Sequence, residues 1–195
     1  MTPNSERAKI TRQRIVDVAA ALFAELGYEA TSIEAVLRES GISRGALYHH
    51  FANKEALFEA VLEAVEAEVA AASVEASRGI GYPLEALRAG CFAFLDLAAT
   101  KRVRQILLID APVAVGWDKW REIDARYGFG LLRASLRAAT AHGRLNPELL
   151  DIVAHMLLAA LIEVAMVIAR AEDSAAAIEN GRAGFGAVLD RLLKD

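Results

Sequence analysis

The sequence predicts an all-α protein in which three N-terminal helices precede a larger helical bundle, with about nine helices in total. Apolar residues recur along most of the 195 residues at spacings of three and four, which is the period of one helix face. Glycine, proline, serine and asparagine stand at the ends of these segments, where helices start and stop. No segment shows the alternating pattern of a β-strand, and this favours the all-α class.

The first two helices are delimited by turn and cap residues. An apolar stripe predicts the first helix: Ile15, Val18, Ala19, Leu22, Phe23 and Leu26. Gly27 follows at the position where a helix stops. A capping box of Thr31 with Glu34 is expected to open the second helix, and Gly41 to end it.

Cap residues also predict the later helices. Ser43 can cap a third helix that runs to about His50, and Asn53 caps a much longer fourth helix. The segment 79–83 is the clearest break in the middle of the chain, and Pro83 suits the first turn of a new helix. The remaining helices are predicted over 83–99, 102–109 (ending before Pro112), 117–141 (closed by Gly143), 147–170 and 174–193.

Basic residues are concentrated at the N-terminus of an otherwise acidic chain. The net charge is −4, yet residues 1–14 contain four basic side chains and one acid, whereas the chain from residue 55 onward contains 15 basic and 20 acidic side chains. A basic tip on an acidic body is typical of a protein whose one end meets an anion. A solvated, flexible N-terminus explains the same charges equally well.

The composition also argues against several classes of protein. One cysteine, Cys91, excludes an intrachain disulfide and a cysteine-built zinc site, and we expect its thiol to be buried. The charged opening lacks the apolar segment of a signal peptide. The stretch 152–169 is the nearest to a membrane span, but His155 and Glu163 interrupt it. A core helix in a cytoplasmic protein is therefore predicted. No catalytic order of residues or phosphate loop appears, so we predict no enzyme, metal or cofactor.

The second and third helices together predict a helix-turn-helix motif. Gly41 permits a sharp turn, Ile42 fills the angle between the helices, and Ala46 is small where they cross. The third helix is too short to be stable alone, so packing must hold it. Its outward face presents Arg44, Gly45, Tyr48 and His49. Such a face can enter the major groove of DNA.

This motif resembles the DNA-binding signature of the TetR family of transcriptional regulators. The similarity covers about residues 8–60 and includes Thr-Ser-Ile at 31–33, Ser-Gly-Ile-Ser-Arg-Gly-Ala-Leu-Tyr-His-His-Phe at 40–51 and Asn-Lys-Glu-Ala-Leu-Phe at 53–58. The resemblance implies a homodimer that binds a palindromic operator in double-stranded DNA. It further implies a DNA-binding domain over 1–53 and a ligand-binding and dimerisation domain over 54–195.

The resemblance also implies roles for individual residues. Arg44 and Gly45 would face bases, with Arg44 able to make a bidentate contact to guanine, and the others would mostly contact the backbone. The full predicted set is Arg12, Arg14, Ser32, Ser43, Arg44, Gly45, Ala46, Tyr48, His49, His50 and Lys54. For Tyr48 core packing remains the alternative, and for His49 and His50 an ordinary surface or packing position does.

In the larger domain the resemblance implies a pocket for a small effector of apolar or aromatic character. Candidate pocket residues are Cys91, Phe92, Phe94, Leu95, Trp117, Trp120, Tyr127, Phe129, His155, Met156, Glu163 and Met166. An ordinary helical core would contain the same residue types, so core packing is the alternative for each. Asp110, Asp118 and Arg121 are expected to be surface or capping groups.

The resemblance thus favours a ligand-responsive repressor that leaves its operator when the effector binds. Three alternatives remain open at this point. An activator, or a regulator that senses another protein, would use the same helix-turn-helix. The third alternative is a helical bundle without a nucleic-acid role, for which Arg44→Ala would leave DNA affinity and its salt dependence unchanged.

Overall fold

The computed structural model describes the backbone of residues 3–140 and 145–193, and side chains within those ranges from residue 6 onward. The described part is helical and contains no β-strand, which confirms the all-α prediction. In chain order the elements are α1 (Pro3–Leu26), α2 (Ile33–Ser40), α3 (Arg44–His50), α4 (Lys54–Ser77), α5 (Pro83–Ala98), α6 (Lys101–Val103), a π-helix (Arg104–Asp110), α7 (Ala111–Ala114), α8 (Trp117–Arg126), α9 (Gly128–Ala139), a 3-10 turn (Pro147–Leu149), α10 (Leu150–Arg170) and α11 (Ser174–Leu193).

The chain packs as two compact units. The first unit comprises Met1–Val65 and Lys101–Trp120, and the second comprises Glu66–Thr100 and Arg121–Asp195. Helices α4 and α8 each contribute residues to both units. The functional boundary predicted between residues 53 and 54 stays a prediction, because packing units do not reveal which residues bind DNA.

The first unit is assembled on α1, which packs on α2, α3, α6 and the π-helix. An aromatic cluster joins the end of α1 to the start of α4. The Phe23 and Phe58 rings meet edge to face with centroids 5.1 Å apart, and the Tyr28 ring lies 5.0 Å from Phe58. Phe23 and Phe58 are fully buried. Edge-to-face geometry adds favourable quadrupole interactions to the burial of apolar area.

The second unit is a helical bundle in which α5 packs on α9, α10 and α11. Its centre is apolar, and its fully buried large side chains include Leu95, Leu136, Ile168 and Leu189. Two ion pairs, Arg88 with Asp190 and Arg182 with Asp96, also connect α5 to α11.

Local cap signals located three helix starts correctly. Ser43 Oγ accepts a hydrogen bond from the Ala46 amide at 3.3 Å, which caps α3, and Asn53 Oδ1 accepts one from the Ala56 amide at 2.7 Å, which caps α4. Pro83 is the first residue of α5, as predicted.

The capping box at the start of α2 was predicted one residue too early. Ser32 is the cap, and its Oγ accepts a hydrogen bond from the Ala35 amide at 3.1 Å. The Thr31 hydroxyl is buried and donates instead to the Gly27 carbonyl at 2.8 Å, which satisfies an acceptor at the end of α1. The box with Glu34 does not form because α2 begins at Ile33.

The prediction that the helix over 102–109 ends before Pro112 is wrong. Helical backbone continues through the π-helix into α7, where Pro112 occupies the first turn. The Ala111 amide bonds to the Ile106 carbonyl, five residues back, which is the π-helical spacing. Pro112 lacks an amide hydrogen, and in a first turn that hydrogen is not needed.

The single helix predicted over 117–141 is two helices with a break at Tyr127, whose φ of −117° and ψ of −88° are not helical. Two glycines follow the break. A Cβ on Gly130 would lie 2.8 Å from the Ala125 carbonyl oxygen, so the turn between α8 and α9 brings backbone closer than a side chain allows. The end predicted at Gly143 lies outside the described residues.

Candidate nucleic-acid interface

Helices α2 and α3 are joined by a tight turn of three residues. Gly41 adopts φ = +67°, a left-handed conformation that favours glycine, and its amide bonds to the Leu37 carbonyl at 3.0 Å to end α2. Helix α3 is anchored by Leu47, which is fully buried, and closed by Phe51, which is 4% exposed. Packing therefore holds a seven-residue helix whose opposite face is left to solvent.

All eleven predicted DNA-contacting residues lie on the surface of the first unit. The exposed ones are Arg12, Arg14, Ser32, Ser43, Arg44, Gly45, Tyr48 and His49. The half-buried ones are Ala46, His50 and Lys54. Tyr48 is 44% exposed, which contradicts the alternative that it is a core residue.

Arg44 forms an ion pair that the sequence did not reveal. Its Nη2 lies 2.7 Å from Oε1 of Glu34, and both side chains are more than half exposed. The hydrogen bond from Arg44 lowers the pKa of the Glu34 carboxyl below its usual value. The two residues stand in the first turns of α2 and α3, so only the crossing of these helices brings them together. In the free chain the Arg44 guanidinium is thus paired with the Glu34 carboxylate.

Lys54 is positioned by the turn after α1. Its Nζ lies 3.2 Å from the Glu29 carbonyl oxygen and 4.2 Å from the centre of the Tyr28 ring. A cation over an aromatic face is attracted by the ring quadrupole. The ammonium group therefore has a defined place beside the start of α4, where a phosphate contact was predicted.

Arg12, rather than His50, carries positive charge near the end of α3. The Arg12 guanidinium lies 5.1 Å from the centre of the Phe51 ring. Burial, followed by the nearby charges of His49 and Arg12, lowers the pKa of His50 below its usual value. His50 is therefore mainly neutral at neutral pH, and Arg12 provides the permanent charge.

Asp110, expected to be a surface or capping group, instead connects two distant segments of the first unit. Its carboxylate accepts hydrogen bonds from the Tyr28 amide at 2.7 Å and from Nε2 of Gln105 at 3.0 Å. Burial raises the pKa of Asp110 above its usual value. An ion pair between Lys101 and Glu25, at 2.6 Å, makes a second connection. Residues 101–110 are thus attached directly to the end of α1 and to the turn that follows it.

The predicted effector-pocket residues differ widely in burial. Cys91, Leu95 and Trp120 are buried. Phe92, Phe94, Tyr127, Phe129 and Met166 are half-buried. Trp117, His155, Met156 and Glu163 are exposed on the single chain. The His155 and Phe129 rings lie 4.3 Å apart and line a groove of about 360 Å³ between α9 and α10, together with Arg133 and Asp151.

Comparison with known proteins identifies the family. The family of bacterial regulatory proteins called tetR matches residues 15–61, and the tetracyclin repressor-like C-terminal domain matches residues 84–192, more than half of the chain. The chain belongs to the TetR family. These matches confirm the resemblance predicted from the sequence. TetR-family proteins are DNA-binding transcriptional regulators, and this agrees with the prediction that the chain is not an enzyme.

Relatives of known role match about half of this chain. The transcriptional regulator AcrR of Shigella flexneri is 34% identical over 104 residues, which are 53% of this chain and 48% of AcrR. A transcriptional repressor of Mycobacterium tuberculosis is 35% identical over 107 residues, 54% of this chain and 56% of the relative. The chain thus spans about half the length of these two relatives.

Solved structures match the whole fold. A TetR-family regulator from Pectobacterium atrosepticum superposes with a TM-score of 0.80 at 27% identity, and the match covers 100% of this chain and 99% of the other. RolR in complex with resorcinol superposes with a TM-score of 0.70 at 21% identity over 98% of both chains. At that identity the likeness to RolR shows a shared fold.

Proposed function

We propose that this TetR-family regulator is a cytoplasmic homodimer that represses transcription from a palindromic operator and is released by a small-molecule effector. The observation that carries the proposal is the solvent-exposed face of α3, with Arg44 at its start and a fully buried Leu47 behind it. A repressor among its relatives supports repression. The complex of RolR with resorcinol, on the same fold, supports a small-molecule effector.

DNA recognition in this proposal starts from an exchange of partners by Arg44. In the free chain its guanidinium bonds to Glu34, and in the complex it makes a bidentate contact to guanine in the major groove. Arg12, Arg14 and Lys54 contact phosphates and set the position of the protein, without reading sequence. Glu34 would then face a polyanion, so the same carboxylate both positions Arg44 and opposes binding.

Substitutions at this ion pair test the proposal. On a duplex selected from a random pool, Arg44→Ala is expected to weaken binding by about 5- to 150-fold, because roughly 1–3 kcal/mol of base contact is lost, and to relax specificity at one base pair of each half-site. Glu34→Gln is the matched variant, expected to bind more tightly because it removes a negative charge and frees Arg44. Fluorescence anisotropy at several salt concentrations measures both. Unchanged affinity and specificity in Arg44→Ala would contradict the proposed role.

The proposed dimer surface is an exposed apolar stripe on α10 and α11. Ile152, Met156 and Val167 on α10 are 57%, 64% and 59% exposed, and Val188 on α11 is 50% exposed. By length and composition the helix Pro147–Arg170 could cross a membrane, but one third of its most apolar window is buried in the chain. A second copy that packs α10 and α11 into a four-helix bundle would cover this stripe.

A charge placed in this stripe is expected to dissociate the dimer. The double variant Val167→Glu and Val188→Glu should sediment as a folded monomer at micromolar concentration, because two carboxylates per chain would be buried without partners. Ala67→Glu, at an exposed position of α4, is the control and should remain dimeric. A double variant that keeps the wild-type sedimentation coefficient would show that the dimer, if formed, uses another surface.

A reporter gene controlled by the selected operator tests the direction of regulation. Deletion of the gene for this chain should raise reporter expression if the chain is a repressor. A fall in expression would identify an activator that uses the same helix-turn-helix.

A further inference from the structure

Two carboxyl groups are buried side by side in the second unit. Glu66 on α4 is 3% exposed and Asp124 on α8 is 7% exposed, and they are the only charged side chains that are buried in the described part of the chain. Burial of a carboxylate is costly unless a cation or several hydrogen-bond donors compensate it. Buried titratable groups whose pKa values are perturbed cluster at functional sites, so this pair is a candidate site.

Only one of the two carboxyl groups is compensated by the chain itself. Asp124 Oδ2 lies 2.9 Å from Nη1 of Arg121, and the Phe129 amide also donates to Asp124. Glu66, by contrast, has neither a hydrogen bond nor an ion pair with any described residue. The site thus contains two carboxyl groups and one guanidinium, and the acceptor oxygens of Glu66 are unused.

Both carboxyl groups converge on the backbone of one glycine. A Cβ added to Gly128 would lie 3.0 Å from Oδ1 of Asp124 and 3.6 Å from Oε2 of Glu66. Acceptor oxygens from two helices therefore face the same small volume at the start of α9. A side chain at position 128 would crowd the Asp124 carboxylate, so glycine lets both carboxyl groups lie close to the backbone.

We infer that the Glu66–Asp124 pair is the polar end of a binding site for an organic ammonium ion. The inference rests on the proposed function, since it names the chemical class of the effector. A protonated amine provides both things that the pair lacks: a positive charge opposite the second carboxyl group, and N–H donors for its unused oxygens. A neutral alcohol provides only a donor, and an anion is repelled.

The protonation state of Glu66 gives this site a distinct signature. Burial, and next the charge of Asp124, raises the pKa of Glu66 to about 8, so the free chain holds a proton there at pH 7. Other charged groups that act on the pair are Arg121 and His155, which both favour the ionised form of Asp124. An ammonium ion bound between the two groups favours the Glu66 carboxylate. Binding therefore exchanges the Glu66 proton for the ammonium ion, and one proton is released to solvent.

Calorimetry with matched amines and alcohols tests the inference. The probes are ω-phenylalkylamines with two to six methylenes, each paired with the alcohol of the same skeleton, titrated into the full chain without DNA at pH 7. We expect at least one amine to bind at least ~10-fold more tightly than its alcohol. Titration in phosphate and in Tris, which differ in ionisation enthalpy, should show release of close to one proton for each amine bound.

Glu66→Gln should lower the affinity for that amine by at least ~10-fold and abolish proton release, while the affinity for the alcohol changes less than about two-fold. Glu68→Gln, an exposed position on the same helix, is the matched control and should behave as wild type. Thermal melting should show that Glu66→Gln is folded. Failure of every amine to bind, equal binding of amine and alcohol, or an unchanged preference in Glu66→Gln would each overturn the inference.

DNA binding separates this inference from the proposed function. If the chain binds its selected duplex but shows no preference for amines, the proposed regulatory function stands and the ammonium site is refuted. If the chain binds amines as described but binds none of the duplexes, the ammonium site stands and the proposed regulatory function is contradicted.

Discussion

Replacing Phe58 with alanine is expected to destabilise the chain by about 3–5 kcal/mol, enough to unfold a large fraction of the protein at growth temperature. Phe58 is fully buried, and its ring contacts Phe23 and Tyr28 with centroids 5.1 and 5.0 Å away. The substitution removes buried apolar area, two edge-to-face contacts and the volume of a phenyl ring at once. The Phe23 and Tyr28 rings also contact each other, so we expect them to move little into the cavity that the substitution leaves.

Urea denaturation followed by circular dichroism measures the effect. Phe58→Leu retains most of the volume and should cost less than half as much as Phe58→Ala. Ile10→Ala, on the exposed side of α1, is the control and should change the free energy of unfolding by less than about 0.5 kcal/mol. Equal midpoints for wild type and Phe58→Ala would show that the aromatic cluster does not hold α4 to α1.

The second large expected effect concerns Glu66, which should make the folded chain less stable as the pH rises. The pKa of this carboxyl is raised from 4.5 to about 8 by burial and by Asp124. Between these two values the folded chain binds a proton that the unfolded chain has released, so the free energy of unfolding falls as pH rises through this window. The stabilisation is complete below pH 4.5 and lost above pH 8, and the change between pH 5 and pH 8 is on the order of 3 kcal/mol.

Glu66→Gln should remove this component, because an amide has no proton to lose. The test compares urea midpoints of the wild type and the variant at pH 5, 6, 7 and 8. Burial raises the pKa values of Asp110 and Asp124 as well, and these groups contribute to both curves, so the difference between the two proteins isolates Glu66. Parallel curves would mean that Glu66 titrates as an exposed glutamate does.

Local signals explain why the helix-turn-helix could be predicted from the sequence. A glycine that permits positive φ at position 41 and hydroxyl or amide caps at Ser43 and Asn53 act over three or four residues, and each formed as expected. The cap of α2 was missed by one residue because Thr31 and Ser32 carry the same functional group. The choice between them depends on the carbonyl of Gly27, which only the folded end of α1 presents to Thr31.

Features that depend on packing between distant segments could not be predicted. The Arg44–Glu34 pair joins residues ten positions apart on different helices. Asp110 reaches the Tyr28 amide across 82 positions, so its surroundings are invisible in a local pattern. Glu66 has the sequence context of a surface residue, between two alanine-rich turns of α4, and only the position of Gly128 shows that it is buried with Asp124.

Sedimentation of the purified chain with fluorescent duplexes selected from a random pool tests the central claim most directly. If α3 lies in the major groove and a symmetry-related copy positions a second α3, two protomers should sediment with each duplex at low salt, and the selected sequences should contain two inverted half-sites. Higher salt should weaken the complex because phosphate contacts release counterions. A chain that remains monomeric and binds none of the duplexes at low salt would contradict the account.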